Sequence, residues 1–452
     1  MERTDAFDIV VIGGGPGGVE AAAEAGARGM RTAIVSEMPL GGRATYGSLL
    51  PSKAWLHAAE HGLDGETARG PHGGSHGVDY RPDPAPLRER IQRLQRERTA
   101  QLSERLSSLG VEIISGTARF LDRSHVKVYI DDTERVLEAK NVVIAAGSEP
   151  RFFPNVKPDG DHIIAPRHTQ KLTEVPKTMV MVGGGVTGTE YASAFQKMGT
   201  RVHLITDIDR LLPRTDPELA GLIREYLESI GVEITFSSPI AGVESNGTTV
   251  RTTTADGSVY ETDYTFIATG RRPDSSFAEE ASEKPAEGAG GWLDVDEYGR
   301  TSLDGVYATG DIAGAPLTAN NAHYMARRIV SAIAGDGSED GTAPLLEAVY
   351  TDPQVVHIGP VADLTNGSSD GVTEIRRSYD ETLLGRLHGQ DNAVLKIWVD
   401  DATGRIRGAG AFGENAVEVL APVQLAMEHG ITYERLRFTP FAHPALSEVI
   451  SL

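Results

Sequence analysis

The chain reads as an α/β protein with two parallel-sheet portions and a C-terminal α+β portion. Three observations predict this. A short apolar run at residues 8–12 meets the turn Gly13-Gly14-Gly15. The same arrangement returns about 170 residues later, where residues 178–182 meet Gly183-Gly184-Gly185. Each turn leads into a helix-forming stretch and then a second apolar run, at residues 32–35 and 202–205. Uninterrupted apolar runs of this length suit strands buried on both faces of a parallel sheet. A repeat of this kind points to an internal duplication.

The remaining elements follow in order. Leu87, Ile91, Leu94, Leu102, Leu106 and Leu109 keep helical spacing, so residues 85–109 predict a long amphipathic helix. Short strands are expected at 111–114, 118–120 and 126–130. A buried strand at 141–147 ends in Gly147, and residues 266–270 echo that ending. Glu-, Ala- and Gly-rich residues 278–291, and residues 334–343, read as linkers. Beyond them, strands at 347–350, 355–359, 393–399 and 406–412 and a helix at 416–429 make the α+β portion.

Composition narrows the chemistry. The 51 glycines in 452 residues exceed the usual share of about 7% and call for tight turns or close approach to ligands. A net charge of −21 argues against nucleic acid or an anionic membrane surface as partner. With no cysteine, the chain has no disulfide, thiolate nucleophile or iron–sulfur cluster. No apolar run is long enough to span a bilayer, and the charged N-terminus is not that of a signal peptide. A cytoplasmic location is the expectation. Among the histidines, His57, His61, His72 and His76 show no metal-ligand spacing, and His72 and His76 are expected to be solvated.

Gly13-x-Gly15-x-x-Gly18 and Gly183-x-Gly185-x-x-Gly188 stand between strand and helix, as dinucleotide-binding turns do. In such a turn the first glycine permits the bend and the second admits a pyrophosphate. The third lets the helix pack closely, with its N-terminus facing the anion. An acid about 20 residues on takes a ribose hydroxyl. In the first copy Glu37 is the candidate, and Ser36 its rival at the expected register. In the second copy Thr206 holds the position and Asp207 follows, with no arginine pair to meet a 2′-phosphate. Gly188 leans toward NADH over NADPH. Two such sites in one chain imply FAD with NADH or NADPH as cosubstrate, since hydride passes between stacked rings.

The stretch Gly41-Gly42-Arg43-Ala44-Thr45-Tyr46-Gly47-Ser48-Leu49-Leu50-Pro51-Ser52-Lys53 resembles the pyridine nucleotide-disulfide oxidoreductases, the family of dihydrolipoamide dehydrogenase, glutathione reductase, mercuric reductase and the soluble transhydrogenase. Their pattern is Gly-Gly, two cysteines five apart, then Pro-Ser-Lys. The resemblance extends through Ala146-Gly147, Thr269-Gly270-Arg271-Arg272-Pro273, Ala308-Thr309-Gly310-Asp311, Thr351-Asp352-Pro353 and His443-Pro444-Ala445-Leu446-Ser447-Glu448. It implies two Rossmann-like domains and a C-terminal dimerisation domain. The FAD domain would comprise 1–147 and 270–338, the NAD(P) domain 148–269 and the interface domain 344–452. It also implies that Gly42, Arg43, Gly147 and Asp311 serve FAD, that Gly270 serves NAD(P), and that the protein is a homodimer.

The departure from the family decides the expected function. Ala44 and Leu49 hold the cysteine positions, and neither carries charge or electrons, whereas the family relay runs through a thiolate. Electrons entering the flavin must leave from the flavin itself. The resemblance places Lys53 and Glu190 as an ion pair beside flavin N5, where a cation stabilises developing negative charge. His443 and Glu448 correspond to the family's acid–base pair, given across the dimer interface, and serve here either a quinone oxygen or only the interface. Tyr46 is a candidate for shaping an acceptor pocket. The leading expectation is an NAD(P)H:acceptor oxidoreductase acting on a small-molecule acceptor such as a quinone. A pyridine nucleotide transhydrogenase and a flavin-binding protein without turnover are the alternatives.

Overall fold

The structure is a computed structural model and describes residues 6–61, 83–336, 343–365 and 371–452. His72, His76 and most of the expected second linker lie outside the described residues. The chain forms two compact units. The first is drawn from Met1–Pro51, Glu89–Arg151 and Gly270–Thr342, the second from Ser52–Arg88, Phe152–Thr269 and Ala343–Leu452.

In the first unit, strands Ala6–Ile12, Thr32–Ser36, Glu112–Ser115 and Val306–Ala308 run parallel around the C-terminal half of strand Thr133–Ile144. The N-terminal half of that strand pairs antiparallel with His125–Ile130, which pairs in turn with Thr117–Asp122. Side chains alternate across the sheet. Ile9 and Val11 join the core beneath helices Pro16–Ala27, Ala85–Ser108 and Ala319–Ala334, through Ala21, Ala22, Leu102, Leu106, Ala326 and Ile329. Val10 and Ile12 face the opposite core, with Phe120, Val126 and Leu137. Both faces are therefore covered, which accounts for the absence of polar alternation in residues 8–12.

Residues 278–291 are not a linker. Phe277, Ala278 and Leu293 are buried in the same core, and the Ser282 amide donates to Leu121 O. Glu-, Ala- and Gly-rich composition describes the irregular backbone correctly, but the apolar anchors flanking it fix that backbone to the sheet.

In the second unit, five parallel strands lie in the order Glu233–Thr235, Arg201–Ile205, Thr178–Val182, Tyr264–Ile267 and Ile163–Ile164. A three-stranded antiparallel sheet spans Ile240–Ser245, Val250–Thr254 and Val259–Thr262. The C-terminal sheet is antiparallel, ordered Leu346–Val349, Gln354–Ile358, Ile406–Gly413, Val394–Asp400 and Val372–Ser378. Helix Ala416–Glu428 buries Val419, Leu420 and Val423 against it. The sequence reading did not anticipate strand Val372–Ser378 or helix Pro217–Ser229. Among the described residues, no helix is long and apolar enough to cross a membrane.

Candidate active site

The two glycine turns superimpose in their physics. Gly13 has φ +108°, and a Cβ there would lie 2.3 Å from Ala145 O; Gly183 has φ +114°, with Ala268 O at 2.4 Å. A Cβ on Gly18 would meet Gly13 O at 1.9 Å, and one on Gly188 would meet Gly183 O at the same distance. Gly15 and Gly185 instead face open space within 4 Å. They cap helices Pro16–Ala27 and Val186–Lys197 with no side-chain hydrogen bond. Each turn thus presents uncapped backbone N–H groups at the positive end of a helix dipole, beside an open approach. That is the form a pyrophosphate requires, and the residues fit two dinucleotides.

Ser36 closes strand Thr32–Ser36, is buried, and donates its hydroxyl to Met38 O at 2.6 Å. It faces the turn, since a Cβ on Gly14 would lie 2.3 Å from Ser36 Oγ. Glu37 is exposed. The second unit repeats this: Thr206 is buried, 3.2 Å from a Cβ on Gly184, and Asp207 is exposed. A small hydroxyl faces each turn, and the next residue carries the carboxylate outward.

In the first unit, the segment around Ala44, the first of the two substituted cysteine positions, forms the short helix Gly42–Tyr46. It is held against the fingerprint turn. The Gly41 amide donates to Gly14 O at 2.8 Å, and a Cβ on Gly42 would lie 3.0 Å from Gly15 Cα. Arg43 reaches Ser148 O and, at 2.8 Å, Asp274 Oδ2. Arg271 donates to Ser148 Oγ at 2.6 Å and Ser148 O at 2.7 Å. Ser148 in turn donates to Asp311 Oδ2, and Arg271 lies 3.4 Å from the same oxygen. Burial pushes the Asp274 carboxyl up, but hydrogen bonds from Ser276 and Arg43 outweigh it and hold the group below its ordinary value. Arg43 and Asp311 therefore belong to one network, centred on Ser148. The sequence reading missed Ser148 and Asp274; Arg271 stood in a quoted motif without a role. Gly147 and Gly270 are left-handed, with φ +78° and +91°, and Gly270 O accepts from the Arg151 amide.

The other side of the short helix is fastened to helix Ala85–Ser108. Thr99 Oγ1 donates to Leu40 O at 2.8 Å, leaving it free to accept from the Tyr46 hydroxyl at 2.7 Å. Gln95 Nε2 donates to Thr45 O at 3.1 Å. The Tyr46 hydroxyl is thus engaged by helix Ala85–Ser108.

In the second unit, Lys53 lies on helix Leu49–His61 and Glu190 on helix Val186–Lys197. Their charged atoms are 2.6 Å apart, with Lys53 33% exposed and Glu190 4%. Glu190 Oε1 also accepts the Tyr350 amide at 2.9 Å, and the Tyr350 ring centroid lies 4.2 Å from Lys53 Nζ. Trp55 and Phe195, from the same two helices, pack with ring centroids 5.3 Å apart. Ordering a lysine stem costs up to about 2 kcal/mol of rotamer entropy. A partly exposed pair returns only about 0.2–1 kcal/mol. A cation over an aromatic face adds roughly 0.5–1 kcal/mol, so the ring narrows the gap. Tyr350 precedes the Thr351-Asp352-Pro353 motif, but nothing in its neighbours signals a partner 160 positions earlier.

His443 Nδ1 lies 2.8 Å from Glu448 Oε1, and the Ala445 amide donates to Glu448 Oε2 at 2.8 Å. The Ala445 bond first, then His443, holds the Glu448 carboxyl below its ordinary value. The His443 side chain is 67% exposed. His57 and His61 stack on each other, with centroids 4.3 Å apart, and no set of metal-binding side chains occurs among the described residues.

The family model for pyridine nucleotide-disulphide oxidoreductases matches residues 7–326, and the model for the corresponding dimerisation domain matches 346–452. The chain is 31% identical over 460 residues to a dihydrolipoyl dehydrogenase of Chlorobaculum tepidum, covering 98% of this chain and 95% of the relative. It is 28% identical over 457 residues to an NAD(P)H dehydrogenase (quinone) of Mycobacterium tuberculosis, covering 98% and 92%. The crystal structure of LpdA from Mycobacterium tuberculosis matches with a TM-score of 0.90 at 27% identity, covering 98% of each chain. RclA from Escherichia coli, a flavoprotein disulfide reductase, shares the fold with a TM-score of 0.85 at 22% identity.

Proposed function

The chain belongs to the pyridine nucleotide-disulphide oxidoreductase family, and from that premise we propose that it is an NAD(P)H:acceptor oxidoreductase that needs no redox disulfide. The family is FAD-dependent, with NAD(P)H as cosubstrate. Bound FAD supplies two-electron chemistry, taking hydride from the nicotinamide and giving two electrons to an acceptor. For a quinone the balance is NAD(P)H, one proton and quinone giving NAD(P)+ and hydroquinone. The observation that carries the reading is the absence of cysteine from the whole chain, in a sequence that keeps both dinucleotide turns. The name of the Mycobacterium tuberculosis quinone dehydrogenase supports it.

In this reading residues 1–147 and 270–338 hold FAD through Gly13, Gly15, Gly18, Ser36 or Glu37, Gly42, Arg43, Gly147 and Asp311. Residues 148–269 hold NAD(P) through Gly183, Gly185, Gly188, Thr206 and Gly270. Lys53, held by Glu190, would bring its ammonium to where hydride arrives, as the resemblance implies. Residues 344–452 pair two copies into a homodimer, with His443 and Glu448 given to the partner's site.

The test is anaerobic mixing of the flavin-loaded protein with NADH or NADPH. Flavin absorbance is expected to bleach, then to return when a quinone is added, with no return on adding lipoamide or oxidised glutathione. Return with an oxidised nicotinamide analogue but not with quinone would instead identify a transhydrogenase, the reading that the missing acid at Thr206 favours. No bleaching with either donor would leave a flavin-binding protein.

A further inference from the structure

We propose that Tyr350 is a positioning residue, clamping the Lys53 ammonium against Glu190 so that the cation stays in one fixed place. The inference rests on the reading of Lys53 and Glu190 given above. Tyr350 acts twice. Its amide donates to Glu190 Oε1 at 2.9 Å, the oxygen that also takes Lys53 Nζ at 2.6 Å. Its ring meets Lys53 from another side, with the centroid 4.2 Å from Nζ.

The backbone of Tyr350 leaves strand Leu346–Val349 directly, so a sheet, not a free loop, anchors the clamp. Lys53 is one-third exposed, and water competes there for an ammonium held by one hydrogen bond. An aromatic face excludes water while offering its negative quadrupole. Stabilisation of charge that develops during hydride transfer depends on the cation being in place beforehand, because a dipole or charge that must first reorganise gives back part of its benefit. A flexible four-carbon stem is poorly suited to this unless it is held. The clamp uses the face of the ring and the backbone amide; the phenol hydroxyl has no part in it. Phenylalanine should therefore replace tyrosine, and leucine should not, although both keep the amide bond to Glu190.

The experiment uses flavin-loaded wild type, Tyr350→Phe, Tyr350→Leu and Lys53→Met. Three quantities are read: the rate of flavin reduction by NADH under anaerobic stopped flow, the flavin midpoint potential, and the rate at which an N-hydroxysuccinimide ester labels Lys53, followed by peptide mass spectrometry. Tyr350→Phe is expected to match wild type in all three. Tyr350→Leu is expected to label Lys53 several-fold faster, to slow reduction by about three- to ten-fold and to lower the potential. Wild-type labelling in Tyr350→Leu, or faster labelling without slower reduction, overturns the role of Tyr350 while Lys53→Met still reports on the pair. Unchanged reduction and potential in Lys53→Met overturns the reading of the pair and this inference with it. If Tyr350→Leu does not fold, Tyr350→Met is judged by the same outcomes.

Discussion

At the scale of single residues, steric necessity marks the glycines that shape each turn, while Gly15 and Gly185 leave its approach open. A Cβ on Gly188 would lie 1.9 Å from Gly183 O, a backbone atom that cannot swing aside. Overpacking of a tight site costs about 1–3 kcal/mol, and here the strain falls on the turn proposed to hold the NAD(P) pyrophosphate. Gly188→Ala is expected to keep the flavin and weaken NADH binding at least ten-fold, read as the donor concentration that half-bleaches the flavin. Gly18→Ala is expected to purify with little flavin. Retention of tight NADH binding by Gly188→Ala would remove the second turn from the site. The turn glycines are legible in sequence because the φ near +110° of Gly13 and Gly183 and the missing Cβ of Gly18 and Gly188 are properties of one residue type. Ser148 and Tyr350 are not, because a serine that gathers two guanidinium groups, or a tyrosine that covers a lysine, is defined by partners far away in the chain.

At the scale of elements, the missing disulfide leaves a mechanical question. The two cysteine positions of the family pattern, Ala44 and Leu49, lie in and just beyond helix Gly42–Tyr46, and without sulfur nothing covalent fastens it. Hydrogen bonds do: Thr99 to Leu40 and Tyr46, and Gln95 to Thr45. Thr99→Val keeps the shape but removes both hydroxyl bonds. Each buried hydrogen bond contributes about 0.5–1.5 kcal/mol, so amide exchange over residues 42–48 is expected to quicken at least five-fold while global unfolding changes little. Equal protection in wild type and variant would show that packing alone holds the helix. The sequence betrayed half of this arrangement. The helix 85–109 followed from its leucine spacing, but its polar face, which carries Gln95 and Thr99, reads as solvated until the partner segment is laid on it. Helix Pro217–Ser229 was missed for a different reason. Its signal is local, with Asp216 capping the Leu219 amide, proline in the first turn and an apolar stripe through Leu219, Ile223 and Leu227, but it lies outside every motif that places chemistry. The small antiparallel sheet at residues 240–262 is threonine-rich and gives little alternation to read.

At the scale of the whole molecule, charge imbalance dominates. The chain has 64 acidic and 43 basic side chains, so even complete pairing leaves an excess of carboxylates. Surface pairs such as Arg224–Glu228 contribute about 0–1 kcal/mol each, and salt weakens them. Salt also weakens the repulsion among the excess carboxylates, as the screening length falls from about 10 Å at 0.1 M to about 3 Å at 1 M. With net charge −21, repulsion is the larger quantity, since it acts between all like charges while attraction is confined to neighbours. The thermal midpoint at pH 7.5 is therefore expected to rise between 0.05 and 0.5 M sodium chloride. The same titration near pH 5.1, the sequence isoelectric point, provides the control, because there the net charge and its repulsion vanish while salt still screens the pairs. A rise at pH 7.5 that disappears near pH 5.1 assigns the effect to net charge. A rise of equal size at both values would assign it to exclusion of salt from the surface, and a fall at pH 7.5 would show that the ion pairs outweigh the imbalance.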